Sequence, residues 1–127
     1  VQYCYARIAS VFRHIEKDMK SDIEIKDYDF KYSKEEIKIL KKISEWPKCI
    51  DISTKKLEPH RIPTYLYELA SSFHSLWNQG KIDSNLKFIN EEDLDTTYAR
   101  LSLIVATQKT IKSGLDLLGV SAPDEMK

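Results

Sequence analysis

Residues 1–19 read VQYCYARIASVFRHIEKDM, and the spacing of their apolar side chains decides the fold class. Val1, Cys4/Tyr5, Ile8, Val11/Phe12, Ile15 and Met19 recur every three or four positions, which places them on one face of a helix. On the opposite face Tyr3, Arg7, Ser10 and His14 form a second stripe. A solvated face explains that stripe except for Tyr3, whose ring gains little from water.

Working outward, residues 20–32 lose the helical period and read as a connection, either a short extended segment or a loop pinned by aromatics. Ser33 and Glu36 then form a capping box, in which the Ser and the Glu three residues on satisfy each other's free amides. The helix it opens is expected to bury Ile37, Leu40 and Ile43 and to stop near Trp46-Pro47. A short helix follows over about 48–56. Pro59 and Pro63 bracket the start of the next helix, with Ile62, Leu66, Leu69, Phe73 and Leu76 inward and Gly80 as its stop. Residues 80–90 read as a polar loop. Asn90 and Asp93 cap a last long helix whose apolar positions run from Leu94 through Tyr98, Leu101, Val105, Ile111 and Leu115 to Leu118 before Gly119. The pattern is an all-α helical bundle of four to five amphipathic helices, forming one domain over residues 1–127.

The whole chain has 127 residues, 42% hydrophobic and 31% charged, enough for one good core and too little for two domains. Twenty basic and twenty acidic side chains cancel, so bulk charge announces neither a nucleic-acid binder nor a membrane-surface protein. Divided by segment, the balance is uneven: residues 1–20 carry four basic and two acidic side chains, and 96–115 carry Arg100, Lys109 and Lys112 with no acid. No apolar run approaches the roughly 20 residues of a membrane span. The chain begins at Val1 inside an amphipathic pattern, so it reads as a piece of a longer polypeptide. Cys4 and Cys49, without any C-x-x-C, suit a reducing cytoplasm, with a Cys4–Cys49 disulfide as the lesser alternative.

Chemistry-bearing motifs are scarce. Gly80, Gly114 and Gly119 make no phosphate-cradling loop, and His14, His60 and His74 have no zinc-site spacing. His74 reads as a boundary residue beside Phe73, not as a general base. No catalytic or metal-ligating set is assigned.

Three segments together resemble the C-terminal anticodon-binding domain, of the DALR type, of arginyl-tRNA synthetases. Val1-Gln2-Tyr3-Cys4-Tyr5-Ala6-Arg7-Ile8 is similar to that family's V-Q-Y-A-H-A-R-I opening. Glu58-Pro59-His60 through Tyr65-Leu66-Tyr67-Glu68-Leu69-Ala70 is similar to its E-P-H-x-x-x-x-Y-L-Y-x-L-A. Ala99-Arg100-Leu101, then Gly114-Leu115-Asp116-Leu117-Leu118-Gly119, then Ala122-Pro123-Asp124-Glu125-Met126 resemble its ending. In this order they run from the start of the chain to its end.

The resemblance implies a domain beside the class I catalytic domain of the same parent chain, gripping the anticodon stem-loop of arginine tRNA. ATP and Mg would serve the parent and no cofactor this piece; the fragment alone would be inactive, monomeric and cytoplasmic. Trp77 occupies the family's aromatic position at the end of its helix, either facing RNA or closing the core. Tyr3 matches the anticodon-facing tyrosine. Arg7, one turn on, holds a phosphate or pairs with a carboxylate within the bundle. Met126 matches the near-terminal methionine, with Lys127 as an extra residue. Arg100 keeps the Ala-Arg half of the naming motif and is either an RNA contact or structural. His60 and Arg61 would set the packing of a turn. The competing readings are a stand-alone helical protein-interaction module and the related domain of another class I synthetase.

Overall fold

The protein was analysed as a computed structural model, which describes residues 1–13, 32–82 and 94–122. Five helices carry these residues: α1 (Gln2–Arg13), α2 (Lys34–Ser44), α3 (Trp46–Lys55), α4 (Arg61–Ile82) and α5 (Leu94–Leu118). Among the described residues there is no strand, and the architecture is the all-α bundle that the periodicity predicts. His14, the connection over 20–31, the Asn90/Asp93 cap and most of the 80–90 loop lie outside the described residues.

α1 buries Cys4, Ala6, Ile8, Ala9, Val11 and Phe12, the stripe read from the sequence, with Val1 and Tyr5 packed at its edge. Tyr32 donates its hydroxyl hydrogen to the Ala99 carbonyl at 3.3 Å, pinning the approach to α2 onto α5. The capping box is formed: the Ser33 amide donates to Glu36 Oε1 at 3.0 Å, and the Glu36 amide to Ser33 Oγ at 3.3 Å.

The inward face of α2 differs from the expectation. Glu36 and Ile39 are buried, Leu40 and Ile43 are half-buried, and Ile37 is 53% exposed. The reason lies in the cap. Glu36 turns its second carboxylate oxygen to the Arg100 guanidinium of α5, 3.5 Å away, so the stripe 36/39/40/43 faces the bundle and residue 37 falls about a quarter-turn off it.

Glu45 joins α2 to α3, with Pro47 in the first turn of α3. Trp46 packs on Tyr65 of α4 with ring centroids 5.1 Å apart. α3 ends in a Schellman motif, in which the Glu58 amide bonds the Ser53 carbonyl at 3.0 Å and the Leu57 amide bonds that of Thr54 at 3.3 Å. The left-handed position of that motif is held by Leu57, at φ 53°.

α4 buries Tyr65, Leu66, Leu69, Ala70, Phe73 and Leu76, with Ile62 half-buried at its start. It does not stop at Gly80, which is buried inside the helix; the helix runs to Ile82. A lone glycine costs a helix only about 1 kcal/mol relative to Ala, too little to end it without a cap.

α5 packs against α1, α2 and α4. It is therefore buried nearly all round, with Thr97, Leu101, Ile104, Thr107 and Ile111 each inaccessible. Thr107 and Thr110 satisfy their buried hydroxyls on the Leu103 and Ala106 carbonyls, at 3.0 and 2.9 Å. Gly119 (φ 70°) closes α5 with a second Schellman motif, Val120 amide to Leu115 carbonyl at 2.9 Å and Gly119 amide to Asp116 carbonyl at 3.1 Å. Leu118, expected inward, is 37% exposed because that cap turns the last residues outward. Beyond it Gln2 donates its side-chain amide to the Ser121 carbonyl at 2.9 Å, tying α1 to the end of α5.

Candidate RNA-binding face

α1 and α4 pack side by side, and each contributes two side chains to one surface. Helical spacing stacks Tyr3 and Arg7 (i, i+4) on α1, and His74 and Trp77 (i, i+3) on α4. The Arg7 guanidinium carbon lies 4.6 Å from the Tyr3 ring centroid and 4.8 Å from that of Trp77. One nitrogen of Arg7 donates to the Tyr3 hydroxyl; another stands 3.4 Å from His74 Nδ1. The Tyr3 and His74 rings are 5.6 Å apart and tilted by 30°.

Beneath this layer Phe73 is fully buried. It meets His74 edge-on at 5.6 Å and Trp77 at 6.3 Å, anchoring both to the core. Trp77 is thus half-buried: it closes the core through Phe73 and presents its other contacts to Arg7. Tyr3 is 49% exposed and is the ring most open to a ligand.

Arg7 is a cation held by aromatic faces and an imidazole; among the described residues no carboxylate pairs with it. Each such cation–π contact contributes about 0.5–2 kcal/mol depending on desolvation. The intrabundle carboxylate that the sequence left open for Arg7 is absent from these contacts. Burial, and then the neighbouring Arg7 charge, push the His74 imidazole below its usual range, so it is neutral at pH 7 and its Nδ1 can accept.

The other predicted site residues lie elsewhere. Arg100 is 6% exposed and pairs with Glu36 between α5 and α2, so its guanidinium serves the bundle and is not offered to RNA at the surface. Met126 and Lys127 lie outside the described residues. Arg61 pairs with Glu58, and its carbonyl accepts from Cys49 Sγ at 3.8 Å, which fixes the turn into α4. Cys4 and Cys49 are both free thiols; burial pushes the Cys4 thiol up to about 12, which makes it a small apolar core residue. His74 is the member of the face that sequence reasoning missed. Its signal was the i−3 spacing from Trp77, which puts both on one side of α4.

Among the described residues, no group of three or more His, Cys, Asp or Glu is placed to hold a metal ion. No described helix is long and apolar enough to cross a membrane.

RNA loops are bound by stacking unpaired bases on aromatic rings and arginine planes, and this face of a helical bundle carries residues of both kinds. The chain belongs to the DALR anticodon binding domain family, whose profile matches residues 1–126. It is 55% identical over 126 residues, 99% of its length, to an arginine–tRNA ligase of Pelagibacter ubique (strain HTCC1062), of which it covers 22%. It is 38% identical over 133 aligned positions to the arginine–tRNA ligase of Rhizobium leguminosarum bv. trifolii (strain WSM2304), and 40% to that of Methylobacterium sp. (strain 4-46), spanning all of this chain and 23% of each relative. The chain therefore spans a little over a fifth of the length of the curated relatives it matches. Family membership favours RNA over the protein-interaction reading.

Proposed function

We propose that this chain is the domain of an arginine–tRNA ligase that grips and checks the anticodon stem-loop of arginine tRNA. The observation that carries the reading is the Arg7 guanidinium set between the Tyr3 and Trp77 rings on an open face. An unpaired loop base stacks on the exposed side of Tyr3, at about 1–3 kcal/mol per base, while Arg7 meets a phosphate or a base edge. In this reading residues 1–127 are one monomeric domain at the C-terminal end of a longer cytoplasmic enzyme. That parent joins arginine to its tRNA using ATP and Mg, both held by its catalytic domain. Met126 is carried as a further contact on the family resemblance alone.

The test is binding of this chain to arginine tRNA transcripts over a salt series, with the anticodon intact and with its middle base changed. Binding should be weak, fall with salt, and fall again when that base is changed. Indifference to the anticodon, or no binding at millimolar RNA, would sink the reading.

A further inference from the structure

We infer that His74 is a positioning residue: as an imidazole accepting at Nδ1 from Arg7 and lying against the Tyr3 ring, it fixes the orientation in which Arg7 discriminates between anticodon loops. The inference rests on the RNA-binding reading above. A guanidinium carries its N–H donors in one plane. Two directions of that plane are used inside the protein, one toward His74 Nδ1 at 3.4 Å and one toward the Tyr3 hydroxyl. The Tyr3 and Trp77 rings bound the group at 4.6 and 4.8 Å. Three of its five N–H donors remain for RNA. Remove the acceptor at position 74 and the rings still hold the cation, but one of the two in-plane contacts that fix its rotation is lost and only the Tyr3 hydroxyl remains.

Accepting at Nδ1 requires the imidazole proton to sit on Nε2. The charged and titratable groups that bear on His74 are Arg7 and Tyr3 from α1, while its own helix supplies the Phe73 edge. Burial and the neighbouring positive charge both oppose protonation. When acid does protonate it, a donor and a like charge replace the acceptor, and Arg7 is driven off its orientation. The added charge meanwhile strengthens attraction to any phosphate backbone. Affinity alone therefore does not report the change, and the discrimination ratio does.

The experiment measures binding of this chain to two RNA hairpins, one carrying the arginine anticodon loop and one with its middle base changed, at about pH 7.5 and about pH 5. Wild type should discriminate at the higher pH, and that ratio should fall on acidification as His74 takes up its proton. His74→Phe keeps the ring and removes the acceptor, so discrimination should be lost at both pH values with the melting temperature nearly unchanged. His74→Asn places Oδ1 close to the Nδ1 position, so discrimination should survive and its pH step should vanish. A His74→Phe protein that discriminates normally, or a pH-dependent loss of discrimination that persists in His74→Asn, would overturn the inference. Nitrogen NMR of the RNA-free chain tests it independently of the RNA reading: a neutral His74 bearing its proton on Nδ1 overturns it, whereas failure of wild type to distinguish the hairpins overturns the RNA reading.

Discussion

Gly114 of α5 faces Leu66 of α4 so closely that a Cβ at position 114 would stand 2.6 Å from Leu66 Cδ2 and 3.0 Å from its Cγ. Leu66 is completely buried and has nowhere to swing. Gly114→Ala should therefore destabilise the bundle by about 1–3 kcal/mol, the range for an overpacked core. Leu66→Val in the same chain should recover part of that loss. Urea unfolding of the two single variants and the double variant checks this; a neutral Gly114→Ala would show that α4 and α5 can part freely.

Leu57 holds a left-handed backbone conformation with its side chain 85% exposed, so it carries steric cost without packing gain. Leu57→Gly should stabilise the domain by about 0.5–1 kcal/mol, net of the unfolded-state entropy of glycine. A rise of a few degrees in Tm is the expected reading. A fall would mean that Leu57 is covered by something outside the described residues.

Glu36→Gln keeps the Ser33 cap geometrically possible but removes the carboxylate charge beside the buried Arg100 guanidinium. A loss of about 3 kcal/mol is expected, at the lower end for a broken buried pair because the ions stand 3.5 Å apart. Glu36→Gln with Arg100→Met should be less destabilised than either single change. If Arg100→Met instead leaves stability intact and abolishes RNA binding, the structural assignment of Arg100 fails.

Tyr3 and Trp77 should separate stacking from core packing. Tyr3→Ala is expected to weaken hairpin binding by about 1–2 kcal/mol with little change in Tm, since half of the ring is open to solvent. Trp77→Ala removes the ring resting on Phe73 and should lower both. Equal loss of stability in the two variants would show that Tyr3, too, belongs to the core.

The helices were legible because their signals are local. The Ser33/Glu36 box, the prolines before α4 and Gly119 after α5 each act within one turn, and the structure uses each where the pattern puts it. Misreadings arose where a distant partner decided the outcome. Ile37 looks like the inward residue of α2 until Arg100, sixty-odd positions on, claims Glu36. Gly80 looks like a stop, yet no cap accompanies it. Arg100, which the sequence leaves open as an RNA contact or a structural residue, meets Glu36 only once α5 lies against α2. The face itself was half visible: Tyr3 and Arg7 follow from the period of α1, but His74 enters only once α4 lies beside α1.

The same Glu36 couples the docking of α2 to that of α5. Its amide and one oxygen complete a cap that α2 forms with its own neighbours, and its other oxygen meets a helix far along the chain. An α2 that docked before α5 arrived would hold that oxygen without its Arg100 contact, and an α5 that arrived first would hold Arg100 without Glu36. Either half-built bundle lacks part of the pairing. Folding is thereby driven to be concerted: the turn that nucleates α2 commits to the interior only in the step that brings α5 home.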